Sequence, residues 1–74
     1  MTPDPVLAAI RAARHRRDEA DLELRLLIAY AREVHAPRPY RLADLASAAA
    51  MSISGVRTAY TRADVQDVHA RLAS

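Results

Sequence analysis

Apolar and polar positions along this chain follow the three- and four-residue spacing of amphipathic helices, and the two-residue spacing of strands is not evident. One continuous helical pattern fills the first half, and Pro37 and Pro39 then interrupt it. The pattern predicts an all-α fold in a single domain, residues 1–74. Its parts are a long helix over about 5–35, a link over 36–41, two short helices within about 42–61 and a C-terminal helix over about 62–73. The C-terminal helix is expected to begin at a capping pair, Thr61 with Asp64, and to carry an apolar stripe of Val65, Val68 and Leu72.

The long helix has a clear start and an apolar seam. Asp4 is placed to cap it, and Pro5 suits the first helical position, where its missing N–H costs nothing. The stretch Arg14–Asp18 contributes no apolar residue, so the helix either runs unbroken or divides there. The seam is heptad-like and a single arginine interrupts it. Its members are Val6, Ile10, Ala13, Arg17, Ala20, Leu24, Leu27, Ala31 and Val34.

The two halves of this seam are expected to have different partners. The second half, from Leu24 to Val34, is predicted to be the core face on which the short helices pack. A helix of about thirty residues is roughly 45 Å long, so the small remainder of the chain is too short to cover the first half. An uncovered apolar stripe implies a partner, and the preferred interpretation is a homodimer through helix 1, the C-terminal helix or both. Arg17 would then need an acid nearby.

The two short helices are predicted over about 42–49 and 53–60. Leu45 and its neighbours give the first an inward face, and Val56 does the same for the second. Ser52 is well placed as the N-cap of the second helix, because its hydroxyl can accept from a backbone N–H two or three residues later.

This stretch resembles the helix-turn-helix superfamily of bacterial and phage regulators. In that family an alanine of the first helix is followed by a turn glycine, a serine cap and a valine, which here are Ala46, Ala50, Ser52 and Val56. The departure is Ala50, because the turn position has a positive φ that costs alanine roughly 1 kcal/mol. The resemblance implies a small dimeric transcriptional regulator of bacterial, plasmid or phage type. Its helix-turn-helix unit (about 42–61) would bind double-stranded DNA with helix 53–60 in the major groove.

Two groups of residues are candidates for contacting DNA. Outward positions of the second short helix can bond to base edges or phosphates, and Arg57 is the candidate for reading a guanine. Ile53 is expected either to meet a thymine methyl group or to lie buried beside Met51. Arginines that flank the unit suit backbone phosphates. The candidates are Ser52, Ile53, Ser54, Arg57, Thr58 and Thr61, with Arg38, Arg41 and Arg62 as the flanking arginines.

Charge is distributed in blocks along the chain. The 11 basic residues, all arginine, and 9 acidic residues give a net charge of +2. Residues 1–17 and 37–62 each carry +3, residues 18–36 carry −3 and residues 63–74 carry −1. The predicted DNA-binding unit is therefore basic while its neighbours are acidic, as an electrostatic contact with phosphates requires. The arginines of 11–17 are expected chiefly to pair with acids at helical spacing.

Enzymatic and cofactor chemistry finds little support. The chain has no cysteine, its three histidines are too far apart for a short-spaced metal site, and its single glycine excludes a glycine-rich phosphate loop. Neither a membrane-spanning apolar run nor a secretory signal is evident. The sequence predicts a cytoplasmic protein that is not an enzyme and uses no cofactor or metal.

Two other functions stay open from the sequence. One is a helical adaptor for protein–protein interaction that does not bind DNA, since alanine-rich helical hairpins can imitate the motif. The other is an architectural or partition-type protein that binds DNA with modest sequence preference.

Overall fold

The computed structural model describes residues 4–74, and within that range the chain is all-α and contains no strand. Helix α1 (Pro5–Ala29) continues without a break into a π-helical turn (Tyr30–Val34). After the link come α2 (Leu42–Ala49), α3 (Ile53–Thr58) and α4 (Arg62–Ala73). The predicted fold class and order of helices are confirmed.

Helix α1 is continuous, so the division considered at Arg14–Asp18 does not occur. Its first turn is capped as expected. The Asp4 carboxylate accepts from the N–H groups of Val6, at 2.9 Å, and Leu7, at 3.2 Å, and Pro5 takes the first helical position. These contacts satisfy donors that a helix start otherwise leaves to water.

The core consists of two small clusters on different sides of the end of α1. Leu26 and Ala29 pack with Val68 of α4. Ile28 packs with Ala46 of α2 and Val56 of α3. Tyr60 is half-buried and packs against both clusters. The end of α1 therefore joins α4 on one side to the α2–α3 unit, defined here as residues 42–58, on the other.

The predicted core face of α1 was wrong in part. Ala31 is buried and Val34 is half-buried, but Leu24 and Leu27 are 39% and 57% exposed. A single seam cannot serve two partners that contact different sides of a helix. The residues that α1 and its π-helical turn bury are instead Leu26, Ile28, Ala29 and Ala31.

The N-terminal part of α1 extends away from this core. The described residues from Asp4 to Arg25 are all exposed, including Val6 at 65% and Ile10 at 57%. The molecule is accordingly elongated, with extents of 56 × 31 × 15 Å. The first half of the seam was predicted to be left uncovered by the rest of the chain, and this is confirmed.

The turn between α2 and α3 has the backbone conformation that the sequence predicted. Ala50 adopts φ 54° and ψ 45°, in the left-handed region. It ends α2 in such a way that the Met51 N–H donates to the Ala46 carbonyl oxygen at 2.9 Å. This arrangement satisfies a helix-terminal carbonyl, which is the usual function of a residue in this conformation.

Replacing Ala50 with glycine should stabilise the protein by up to about 1 kcal/mol. Glycine removes the Cβ strain of a positive φ, partly offset by the greater entropy of the unfolded chain. Ala48→Gly is the matched control, because Ala48 is exposed and helical and should lose about 1 kcal/mol. Denaturant unfolding of the three proteins measures both changes. A destabilised Ala50→Gly variant would contradict the strain.

Candidate nucleic-acid interface

Helix α3 is held by one side and exposed on the other. Val56 is fully buried in the cluster with Ile28 and Ala46. The Ser52 hydroxyl accepts from the Gly55 N–H at 2.9 Å, which confirms the predicted N-cap. A Cβ on Gly55 would lie 3.1 Å from the Ser52 hydroxyl oxygen, so glycine lets the cap approach closely. The start of α3 is therefore well defined.

The exposed surface of α3 carries residues that the sequence pattern predicted to contact DNA. Ser54 and Thr58 lie on the side of the helix opposite Val56, whereas Arg57 follows Val56 directly and lies at the flank, about 100° around the helix. All three are exposed. The Thr58 hydroxyl donates to the Ser54 carbonyl oxygen at 3.1 Å, which leaves its oxygen free to accept a further hydrogen bond. Ile53 lies at the edge of this surface. It is 44% exposed, so it is not the buried neighbour of Met51 that was one of its two expected positions.

Helix α3 is two residues shorter than predicted, and this changes the place of Thr61. The helix ends at Thr58, and Thr61 is instead the N-cap of α4. Its hydroxyl accepts from the Asp64 N–H at 3.3 Å, while its own N–H donates to the Asp64 carboxylate at 2.9 Å. The assignment of Thr61 to the outward side of α3 was wrong, and its hydroxyl serves the expected capping pair with Asp64.

The flanking arginines lie at the ends of the elements around α3, and all are exposed. Arg38 is in the link and Arg41 is the residue that precedes α2. Arg62 is the first residue of α4. The Arg41 guanidinium lies 3.4 Å from the Asp44 carboxylate, an exposed pair that costs little to exchange for a phosphate. Each of these side chains is accessible to a polyanion.

Residues of the link are hydrogen-bonded to the end of the long helix, which fixes the position of Arg41 and the start of α2. The Tyr40 N–H donates to the Ala31 carbonyl oxygen at 3.0 Å, and the Arg32 guanidinium donates to the Tyr40 carbonyl oxygen at 2.7 Å. The His35 ring lies between the Tyr30 and Tyr40 rings, with centroid distances of 5.7 and 4.8 Å. The start of the α2–α3 unit is thus attached to the long helix.

A hydrogen bond that the sequence did not reveal fixes the exit from α3. The Tyr60 hydroxyl donates to the Glu33 carboxylate at 2.5 Å, between residues 27 positions apart. Burial raises the pKa of Tyr60 to about 12, and the hydrogen bond and negative charge of Glu33 act in the same direction. Tyr60 is therefore neutral at physiological pH and remains a donor. An ion pair of 3.6 Å between Arg25 and Asp64 attaches the start of α4 to α1.

The second basic region, on α1, pairs in part with its own helix. His15 lies 3.0 Å from Glu19, and Arg17 lies 3.7 Å from Asp18. All four residues are exposed, so these pairs contribute little to stability. The pairing agrees with the expectation of a solvated charged helix.

An apolar groove between α1 and α4 is a surface that sequence reasoning missed. Leu22, Leu26 and Leu27 of α1 face Val68 and Leu72 of α4 across it. Its borders carry Glu19, Glu23, Tyr30 and Arg71. The predicted apolar stripe of α4 is divided here, because Val68 is buried while Leu72 is 62% exposed. The advance signals were Leu22 and Leu26, two apolar residues of α1 outside the seam.

Among residues 4–74, no group of three histidine or acidic side chains is arranged to hold a metal ion. In the same range, no helix is sufficiently long and apolar to cross a membrane.

The chain matches no protein-family model, no curated protein and no solved structure.

Proposed function

We propose that this protein binds double-stranded DNA sequence-specifically, as a small dimeric transcriptional regulator of the bacterial cytoplasm, with α3 in the major groove. The supporting observation is the two-sided character of α3. Val56 anchors one side to the core, while Ser54 and Thr58 on the other side and Arg57 at the flank form a polar, exposed surface. A helix presented in this way is the standard means of bringing side chains to base edges.

Each candidate has a separate task in this proposal. Arg57 donates two hydrogen bonds to a guanine, since its planar guanidinium matches the two acceptors on that base edge. Ser54 and Thr58 contact neighbouring bases or phosphates, and Ile53 meets a thymine methyl group. Ser52 and Thr61 act through the helix starts that they cap.

The flanking arginines supply affinity that does not depend on sequence. Arg38, Arg41 and Arg62 would neutralise phosphates on either side of the groove that α3 enters, releasing the counterions condensed there. Because the charge of residues 37–62 is +3 and that of residues 18–36 is −3, the field also orients the α2–α3 unit toward DNA.

The groove between α1 and α4 favours the second candidate function, a helical adaptor for another protein. An exposed apolar groove of this kind can hold the apolar side of a partner helix. An adaptor, however, gives no reason for an exposed α3 surface of serine, threonine and arginine between flanking arginines. Architectural or partition-type binding uses the same arginines and differs in requiring no base reading by Arg57.

Fluorescence anisotropy with a duplex of random sequence tests DNA binding. The logarithm of the affinity should fall linearly with the logarithm of salt concentration, with a slope of several units, because phosphate contacts release counterions. Arg41→Ala should reduce that slope by about one unit. Arg71→Ala is the matched control, as an exposed arginine in the last turn of α4 that pairs with Asp67, and should leave the slope unchanged. Absence of binding at low salt would eliminate the proposal and leave the adaptor.

A further inference from the structure

We infer that α1 pairs with α1 of a second copy of this chain in antiparallel orientation. The surface involved is the exposed part of the apolar seam. Ile10 and Leu27 are each 57% exposed, and the residues of the seam between them are exposed as well. A regular apolar stripe of this spacing is typical of a helix that packs against another helix. The exposed stripe consists of Val6, Ile10, Ala13, Arg17, Ala20, Leu24 and Leu27.

The charges that flank the stripe select a second copy as the occupant. Arg14 and Arg16 flank its N-terminal half, whereas Asp21 and Glu23 flank its C-terminal half. All four are exposed. When two such helices run antiparallel, the basic half of each lies against the acidic half of the other. The same helix therefore carries both members of a complementary pair of surfaces, as a two-fold interface requires.

One register satisfies the apolar positions of both helices. A heptad has two seam positions. In an antiparallel pair, a residue at one of these positions packs opposite a residue at the other position in the partner helix. Two of the three layers then combine a large side chain with an alanine, the third combines two large apolar side chains, and two-fold symmetry repeats each layer. The layers are Ile10 with the partner's Leu27, Ala13 with the partner's Leu24, and Arg17 with the partner's Ala20.

The same register brings the flanking charges together without further adjustment. Arg14 comes to lie beside the partner's Asp21, and Arg16 beside the partner's Glu23. Two-fold symmetry again doubles both pairs. Charges at these positions are the ones that set helix orientation and partner choice in paired helices.

Arg17 distinguishes the antiparallel from the parallel arrangement. In a parallel pair Arg17 would meet its own counterpart in the middle of the seam, where two positive charges repel with little water to screen them. In the antiparallel pair it faces the partner's Ala20, whose small side chain leaves the guanidinium a path to solvent. There it retains Asp18, which already lies 3.7 Å away within its own chain.

The antiparallel pair would hold both α2–α3 units on one side of the joined helices. Ile28, which packs against α2 and α3, follows Arg14 and Asp21 at seven-residue intervals and thus lies on their side of the seam. A rise of 1.5 Å per residue places the two units about 30 Å apart along the pair. That distance is comparable to the roughly 34 Å between half-sites one turn apart. The half-site match rests on the proposed DNA binding; the self-association does not.

Sedimentation equilibrium of the whole chain, without DNA, tests the pairing. The parent chain should be in concentration-dependent equilibrium between monomer and dimer. Ile10→Asp should raise the dimer dissociation constant at least about tenfold, because it buries a charge opposite a leucine. Ile53→Asp is the matched control, since Ile53 is also an exposed apolar residue but lies on α3, outside the stripe. A monomeric parent, or dissociation by Ile53→Asp but not by Ile10→Asp, would overturn the inference.

A charge reversal tests the orientation and register. Arg14→Glu and Asp21→Arg should each weaken the dimer, because each sets like charges side by side across the interface. The double variant should recover at least half of the dimer fraction that the single variants lose at the same protein concentration. Far-UV circular dichroism should show unchanged helix content. A double variant as weak as the single variants would overturn the antiparallel register. Since no DNA is present, failure here and failure of DNA binding are separate results.

Discussion

Val56→Ala should remove about 2–3 kcal/mol from the free energy of unfolding. The Val56 side chain is fully buried where α1, α2 and α3 meet, and truncation loses its transfer free energy and leaves a cavity beside Ile28 and Ala46. A core of this size contributes only about 3–5 kcal/mol in total. The substitution should therefore bring the fold close to its limit of stability.

Denaturant unfolding at one fixed protein concentration measures this loss, because a self-associating chain gains stability with concentration. Ile53→Ala is the matched control, since Ile53 belongs to the same helix but is 44% exposed. It should change the free energy of unfolding far less than Val56→Ala. Equal losses at the two positions would contradict the placement of α3 on the core.

Arg57→Ala should reduce discrimination between a preferred and an unrelated duplex by about 1–3 kcal/mol. The guanidinium is exposed at the flank of α3, so its removal should leave stability within about 0.5 kcal/mol. Arg57→Lys should lose most of the same discrimination, because an ammonium group lacks the planar pair of donors that a guanine selects. The loss is thus assigned to geometry more than to charge.

Competition binding with the two duplexes at one salt concentration measures that change. Arg41→Ala is the control, as a flanking arginine that should weaken both duplexes by the same factor. If Arg57→Ala also weakened both duplexes equally, Arg57 would be a phosphate contact and α3 would not read bases through it.

Local features of this fold could be predicted from the sequence. The caps at Asp4, Ser52 and Thr61 and the left-handed Ala50 involve contacts within about four residues, so the residue types themselves indicate them. The bounds of α4 followed from its cap. The outward positions of Ser54 and Thr58 followed from the inward position of Val56, because helical geometry places residues two apart on nearly opposite sides. Arg57 was predicted on the same side but lies at the flank of the helix, where it is exposed.

Features that depend on distant packing could not be predicted. The prediction of which α1 residues are buried was wrong in part, because α4 and the α2–α3 unit pack on different sides of α1. The periodicity of α1 alone does not reveal this. The end of α3 at Thr58 was not predicted. The hydrogen bond of Tyr60, which follows it, joins Tyr60 to Glu33 across 27 residues, and no local pattern indicates such a contact. The groove between α1 and α4 was missed because only tertiary contact brings Leu22 near Leu72.

Selection of bound sites from a pool of random duplexes, with the parent chain and Arg57→Ala in parallel, tests most directly whether α3 reads DNA sequence. We expect the parent to enrich a two-fold symmetric site with half-sites about one helical turn apart. We expect Arg57→Ala to lose the preference for guanine at one position of each half-site. Enrichment of the same site by both proteins, or of none by the parent, would contradict reading by α3.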